Sequence, residues 1–258
     1  MRARARVVAE RGPGGATRLS VLRSESPLLL RRTGPPGGDG RAAEVHLVGG
    51  AAGPLGGDDL RLSVEVGPGA RLCLRTAAAA LALPGASGAA SGMAVEVTVA
   101  AGGHLDWLPE PLIAGRGCRH RATARVRLAA GASLCWREEL ICGRHGEQPG
   151  DASTRLTVSY DDLPLYDQEL AVGPDAPGWA GPAVLAGARA TGSLLRVDPA
   201  WLTGAPPPEH HGPEAVTMPL AGPAVVTTAV GADAARLRRR LDAQCPYSGG
   251  VKHSATLA

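Results

Sequence analysis

Apolar and polar residues alternate along much of this chain, and the alternation recurs. Residues 64–74 read V-E-V-G-P-G-A-R-L-C-L, residues 97–107 read V-T-V-A-A-G-G-H-L-D-W, and residues 126–136 read V-R-L-A-A-G-A-S-L-C-W. All three fit V-x-[VL]-x-x-G-[AG]-x-L-x-[LW], and successive copies start 33 and then 29 residues apart. Alternation on both sides of a Gly-centred turn predicts a strand–turn–strand unit. One such unit cannot bury its apolar face alone, so the recurrence predicts stacked β-layers. A looser fourth copy runs from Leu156 to Tyr166, with Asp161 and Asp162 as its turn.

Outside the copies the pattern weakens. Residues 77–92 are an Ala/Gly/Ser stretch that reads as a loose loop, and residues 173–223 are dense in Pro and Gly with little periodicity. Within the latter, Pro206 to His211 reads as an exposed connector. The segment 233–243, DAARLRRRLDA, predicts a C-terminal helix with Asp233 as N-cap and Leu237 and Leu241 on one face. The expectation is a mainly β fold of stacked strands in one domain over 1–243, then a flexible tail over 244–258.

Composition narrows the function. The 258 residues carry 27 Lys+Arg against 24 Asp+Glu, and the 44% hydrophobic content excludes a wholly disordered chain. Only one basic residue is lysine, and aromatic residues are 3% with no Phe, leaving few rings to stack on bases. Nucleic acid is therefore not an expected partner. No apolar run approaches the ~18 residues of a membrane helix, and no apolar segment follows the basic start at Arg2, Arg4 and Arg6 as a secretory signal requires. Five cysteines without C-x-x-C spacing fit reduced thiols, so a cytoplasmic protein is expected. Cys73 and Cys135, each between apolar residues, read as packing residues.

Candidate chemistry is sparse. The run 49–58, GGAAGPLGGD, lacks the lysine of a phosphate-binding loop and is followed by β-type alternation, so it is not a nucleotide cradle. It is a φ-permissive turn that places Asp58 and Asp59 at its end. Pro109 and Pro111 bracket Glu110 and fix its backbone, suiting it to ligate a cation, pair with an arginine, or sit in an exposed loop. Residues 136–147, WREELICGRHGE, gather Glu138, Glu139, Cys142, His145 and Glu147. Cys142 and His145 have metal-ligand spacing, yet one pair is not a metal site. The doublet His210-His211 is likewise short of ligands. No G-x-S-x-G elbow occurs, so no catalytic set is assembled in sequence. The alternative is a β-helix hydrolase or lyase acting on polysaccharide through Asp58, Asp59 and Glu110.

Taken in order, these segments resemble the UreD/UreH family of urease accessory proteins. The resemblance rests on residues 17–31, on VHLVGGAAGPLGGD at 45–58, and on the 64–76 strand pair ending R-T. It continues through DWLPEPLI at 106–113, WREELICGRHGE at 136–147 and LPLYDQEL at 163–170, covering roughly residues 6–243. It implies a β-helix-like body with one or two short helices and a non-enzymatic scaffold for urease maturation. Implied partners are a UreF-like helical accessory protein, a UreG-like GTPase and apo-urease, in a hetero-oligomer that can be a dimer of heteromers. It further implies that nickel insertion and carbamylation of the urease lysine depend on the assembly, with Ni2+ crossing this chain transiently and no cofactor tightly bound. A bare divalent ion needs polar lining; by motif position Asp58 is the first candidate, followed by Glu110, Glu138 and Glu147. Weak carboxylate ligands pass a cation that a His/Cys cage would trap. One departure is residues 77–82, AAAALA, where relatives often carry a Lys/aromatic/Arg segment.

Overall fold

The computed structural model describes residues 1–33, 42–204, 206 and 209–243. The tail expected at 244–258 lies outside them, as do Pro207 and Pro208 of the expected connector. The chain opens with β1 (Arg2–Arg11), β2 (Thr17–Arg23), β3 (Leu28–Arg32), β4 (Ala43–Gly49), β5 (Asp59–Val66) and β6 (Arg71–Thr76). It continues with β7 (Ala80–Ala82), β8 (Ser91–Val99), β9 (His104–Leu108), β10 (Leu112–Ala114), β11 (Arg119–Leu128) and β12 (Ser133–Ile141). Then come β13 (Asp151–Tyr160), β14 (Leu163–Val172), β15 (Ala190–Val197), β16 (His210–His211), β17 (Ala215–Pro219), β18 (Ala224–Gly231) and the helix α1 (Ala234–Asp242).

The strands form two facing sheets. One has the order β14-β13-β11-β8-β5-β1-β2; the main path of the other is β16-β17-β18-β15-β12-β9-β6-β4-β3, with β7 and β10 joined at its side. From β1 to β13 the first sheet is parallel, as is the second from β4 to β12. The recurrence of 33 and 29 residues is the length of a coil: Val64 lies beside Val97 and Val97 beside Val126, while Leu72, Leu105 and Leu134 pair in the same way. The two strands of a copy do not pair with each other. The turn between them carries the chain from one sheet to the other, giving a solenoid of about 4 turns.

That turn is built alike in each copy. Ala70 N–H donates to Gly67 O (3.1 Å), Gly103 N–H to Ala100 O (2.9 Å) and Ala132 N–H to Ala129 O (3.0 Å). The third turn position is Gly69, Gly102 or Gly131 at φ +64°, +68° and +78°, a region only glycine enters without cost. The next residue (Ala70, Gly103 or Ala132) is fully buried, which explains its small size.

The fourth copy departs from expectation. β13 does stack on β11, but Val158 lies beside Val126, so the register is two residues later than a copy starting at Leu156. At Asp161 and Asp162, both at positive φ, the chain then turns back into antiparallel β14 instead of crossing. Aspartate tolerates that conformation where most side chains do not. At the other end antiparallel β2 closes on β1. The basic start is itself a strand, with Ala3, Ala5, Val7 and Ala9 inward and the intervening Arg side chains outward.

Two stretches read as irregular are ordered. Within 77–92, Ala80–Ala82 pairs parallel with β10. Within 173–223, β15 joins the second sheet between β12 and β18. Its alternation is hidden because Leu194 and Leu195 are both buried, Leu195 toward the core between the sheets and Leu194 toward α1. The helix forms as predicted. Asp233 caps it by accepting from Arg236 N–H at 2.7 Å, and Leu237 and Leu241 are fully buried on the outside of the second sheet against Cys135, Leu194 and Ala229. None of the four described cysteines is disulfide-bonded, and Cys135 is a packing residue under the helix as expected, while Cys73 is half-buried.

Candidate functional site

Following the inward side chains along each coil shows where the apolar core ends. On β5 and the residue before it the sequence is Val64, Leu62, Leu60, Asp58; on β11 it is Val126, Ala124, Ala122, His120; on β12 it is Leu134, Trp136, Glu138. Trp107 and Trp136 stack at 4.9 Å with 17° between their planes. Beyond this stack Ala122, Ala124 and Thr154 are too small to meet the opposite sheet. A cavity of about 530 Å³ remains between the sheets, with mostly apolar walls and a set of polar groups: Asp58, Thr76, Glu110, His120, Glu138 and Thr154. A cleft of about 40 Å³ shares Glu138 and Thr154 and leads on to Tyr166, Gln168, Thr191 and Thr228.

The structure thus brings Asp58, Glu110 and Glu138 to one cavity and adds His120, while the Glu139 side chain turns to the other face of β12, toward α1. Register explains His120. Asp59 lies beside Gly92, and Ser91 beside His120, so Asp58, Ser91 and His120 form one row across neighbouring strands. Applying the coil spacings of 33 and 29 to Asp58 leads to Ser91 and His120, so the signal was in the sequence.

Each group has its own electrostatic setting. Asp58 is buried; its Oδ1 accepts from the Met1 α-ammonium at 2.7 Å and its Oδ2 from Leu55 N–H at 2.9 Å. Burial opposes its ionisation, but these bonds outweigh burial and hold the carboxyl below its ordinary range. Glu138 is the opposite case. Burial raises its pKa, and the one opposing bond is from Trp136 Nε1–H at 3.0 Å. No cation among the described residues forms an ion pair with it, and its remaining accessible surface faces the cavity. His120 is held at about 4 by burial and is neutral at pH 7; its Nδ1 meets Ser91 Oγ at 2.8 Å. A neutral imidazole is a nitrogen ligand for borderline divalent metals.

Glu110 and Glu139 are already paired. Arg238, from α1, donates through Nε to Glu139 Oε1 (2.7 Å) and through Nη1 to Glu110 Oε1 (2.9 Å). Arg137 lies 3.0 Å from Glu139 Oε1, donates to Pro109 O at 3.2 Å and reaches Asp242 at 3.4 Å. Burial raises Glu139 and depresses Arg137, while Arg238 opposes the first shift and reinforces the second. Sequence alone could not find Glu139, because its partner Arg238 is 99 positions away.

Glu147 does not line the cavity. It accepts from Arg144 Nε and Nη2, each at 2.8 Å, and its carboxyl is pulled down to about 2, first by that bond. Asp58 and Asp59 occupy opposite faces of their strand, Asp59 pairing with Arg61, so Asp58, Asp59 and Glu110 are not assembled as a hydrolytic set. His210 and His211 form exposed β16, with His211 Nε2 at 3.0 Å from Glu209. Among the described residues no group of three or more His, Cys, Asp and Glu could hold a metal ion. The cavity therefore offers cation ligands singly or in pairs.

His120 makes a testable mark on stability. Its folded pKa of about 4 lies below the ordinary 6.5, so between these values the unfolded chain binds more protons. Stability attributable to His120 is lost as pH falls through that window, by up to about 3 kcal/mol. Glu138 and Glu139, with raised pKa, act in the opposite direction, so the comparison is with His120→Asn, in which both remain. Wild-type urea midpoints are expected to fall more than the variant's between pH 7 and 4.5; parallel curves would contradict a neutral buried imidazole.

Comparison with known proteins places this geometry in a family. The family model described as UreD urease accessory protein matches residues 1–246. The urease accessory protein UreD of Parafrankia sp. (strain EAN1pec) is 47% identical over 263 residues, covering 94% of this chain and 87% of the relative. UreD 3 of Streptomyces griseus is 50% identical over 245 residues, with 94% and 95% covered. UreD of Streptomyces coelicolor is 49% identical over 243 residues, with 94% of each covered.

Proposed function

Since the chain belongs to the UreD family of urease accessory proteins, with a role in urease maturation, we propose that it is a non-enzymatic scaffold whose inter-sheet cavity passes Ni2+ to apo-urease. Its partners in this reading are a UreF-like helical accessory protein, a UreG-like GTPase and urease, in a cytoplasmic hetero-oligomer that can be a dimer of heteromers. GTP hydrolysis by the partner is linked to nickel insertion and to carbamylation of the urease lysine.

The observation that carries the reading is Glu138, a carboxyl facing a cavity with one indole N–H and, among the described residues, no ion-paired cation. Burial disfavours its charged form, and an arriving divalent ion favours that form, so the ion and the buried carboxyl are coupled. Asp58 and His120 offer an oxygen and a nitrogen ligand on the opposite sheet. Ligands offered singly bind weakly, which suits passage over storage. Glu147, committed to Arg144, serves its turn in this reading, and Glu110, paired with Arg238, is a secondary lining group.

The test is the nickel content and activity of urease purified from cells lacking this gene, with the other urease genes intact. Assembled but nickel-poor, inactive urease, repaired by restoring the gene, is the expected result. Fully loaded, active urease would overturn the reading.

A further inference from the structure

The outer face of the first sheet carries more arginine than its own carboxylates balance. Arg2 and Arg4 stand outward on β1, and Arg119, Arg121, Arg125 and Arg127 stand outward on β11, all exposed. Register sets like charges side by side: Arg4 lies beside Arg61 on β5, and Arg6 beside Arg23 on β2. Like charges on neighbouring strands repel and lower stability. Arg6 has Glu65 at 2.9 Å, but Glu96 is shared between Arg125 at 3.7 Å and Arg127 at 3.9 Å. Asp59 bonds Arg61 first, and Arg2 and Arg4 draw on the same carboxylate. Arg119 and Arg121 form no ion pair with any described residue; Asp151, beside Arg119, accepts from Asp175 N–H at 2.6 Å.

Between these rows the floor is bare. The outward residues there are Gly92 and Ala94 of β8, flanked by Asp59 and Arg61 on one side and by Arg121 and Thr123 on the other. A Cβ at Gly92 would meet no atom nearer than Arg121 O at 3.9 Å, so the space above it is open. The flanking strands are two strand spacings apart, about 10 Å, which leaves room for one extended chain along β8. We propose that this trough docks an extended acidic segment of a partner protein, its carboxylates received by Arg121 on one wall and by Arg4 and Arg61 on the other. A guanidinium fork meets a carboxylate with two parallel N–H bonds, a match that lysine lacks. Alternate side chains of an extended segment recur at about 6.6 Å, the spacing of Arg119 and Arg121 along their own strand. No Trp or Tyr stands on β5, β8 or β11 to stack on bases, which favours a peptide over single-stranded nucleic acid. The face is turned away from the cavity, so this proposal and the nickel reading can each fail without the other.

Fluorescence anisotropy of a labelled peptide of alternating Glu and Ser is expected to show binding to the full-length protein at about 50 mM salt, weakening as salt rises. Arg61→Gln combined with Arg121→Gln should weaken binding at least about tenfold. Arg116→Gln combined with Arg239→Gln, which removes the same charge at exposed positions elsewhere, should leave it within about twofold of wild type. Gly92→Glu sets a carboxylate on the floor itself and should abolish binding; its Cβ fits, so it serves should the arginine pair not fold. Equal losses in the two double variants would reduce the effect to net charge and overturn the site, as would absence of binding to the wild type at low salt. Tighter binding of a duplex DNA than of the peptide would overturn the assigned occupant.

Discussion

Cells producing Glu138→Gln are expected to make urease with nickel content and activity lowered by about tenfold, a typical scale for perturbing a metal site, while the variant itself folds and binds its partners. The amide retains an oxygen to accept from Trp136 Nε1–H, and no ion pair is lost because none among the described residues involves this side chain. What disappears is the carboxyl group, the one oxygen ligand at this position that can carry a negative charge toward a cation. The measurement is metal content of purified urease beside a pull-down of the accessory complex. Normal nickel loading would remove Glu138 from any passage, and loss of the complex would make its role structural. Asp58 needs more care. Its carboxylate holds Leu55 N–H and the Met1 ammonium, so Asp58→Ala removes the acceptor of both, costs about 1 kcal/mol for a typical bond, and confounds stability with function. Asp58→Asn keeps an acceptor for Leu55 and is the informative partner to Glu138→Gln.

Gly85→Ala is expected to destabilise the protein by more than about 3 kcal/mol, beyond an ordinary surface substitution. A Cβ there would stand 2.2 Å from Gly56 O and 2.8 Å from Gly56 C; one on Gly56 would stand 2.5 Å from Gly85 N. Backbone meets backbone, so no rotamer change relieves the clash. The contact is pinned on both sides, by Gly56 N–H to Leu83 O at 3.0 Å and Leu83 N–H to Pro54 O at 2.9 Å. Separating the segments would shift the turn that presents Asp58 to the cavity. Chemical denaturation of the purified variant checks this, and a midpoint within error of wild type would show that the two segments part freely.

These cases mark what could be read from residues alone. The solenoid was legible because Val64, Val97 and Val126 repeat at the coil spacing and each sits inward. The crossing of the turn was not, since an i to i+3 hydrogen bond with glycine at positive φ also serves a hairpin, and only the partner sheet decides which. Asp58 and Glu138 were found through local backbone constraints and motif position. His120 is hidden from a local reading because the residue it joins is Asp58, two coils away through Ser91. Glu138 and Glu147 look alike in sequence; what separates them is Arg144, three residues before Glu147 in a turn, against an indole and open space beside Glu138. Glu139 needed the position of α1, which nothing local specifies.

The antiparallel strands at the two ends of the parallel stack, β2 and β14, fix how many layers the body contains. Since every layer adds one strand to a sheet, the span along the row from Asp58 to Ala152 on β13 is three strand spacings, about 14 Å. Distance through this protein is thus counted, not tuned: a change of reach comes in whole layers of about 5 Å, each requiring a segment near 29 or 33 residues with a glycine at its corner. The body is a ruler with its divisions written in the chain.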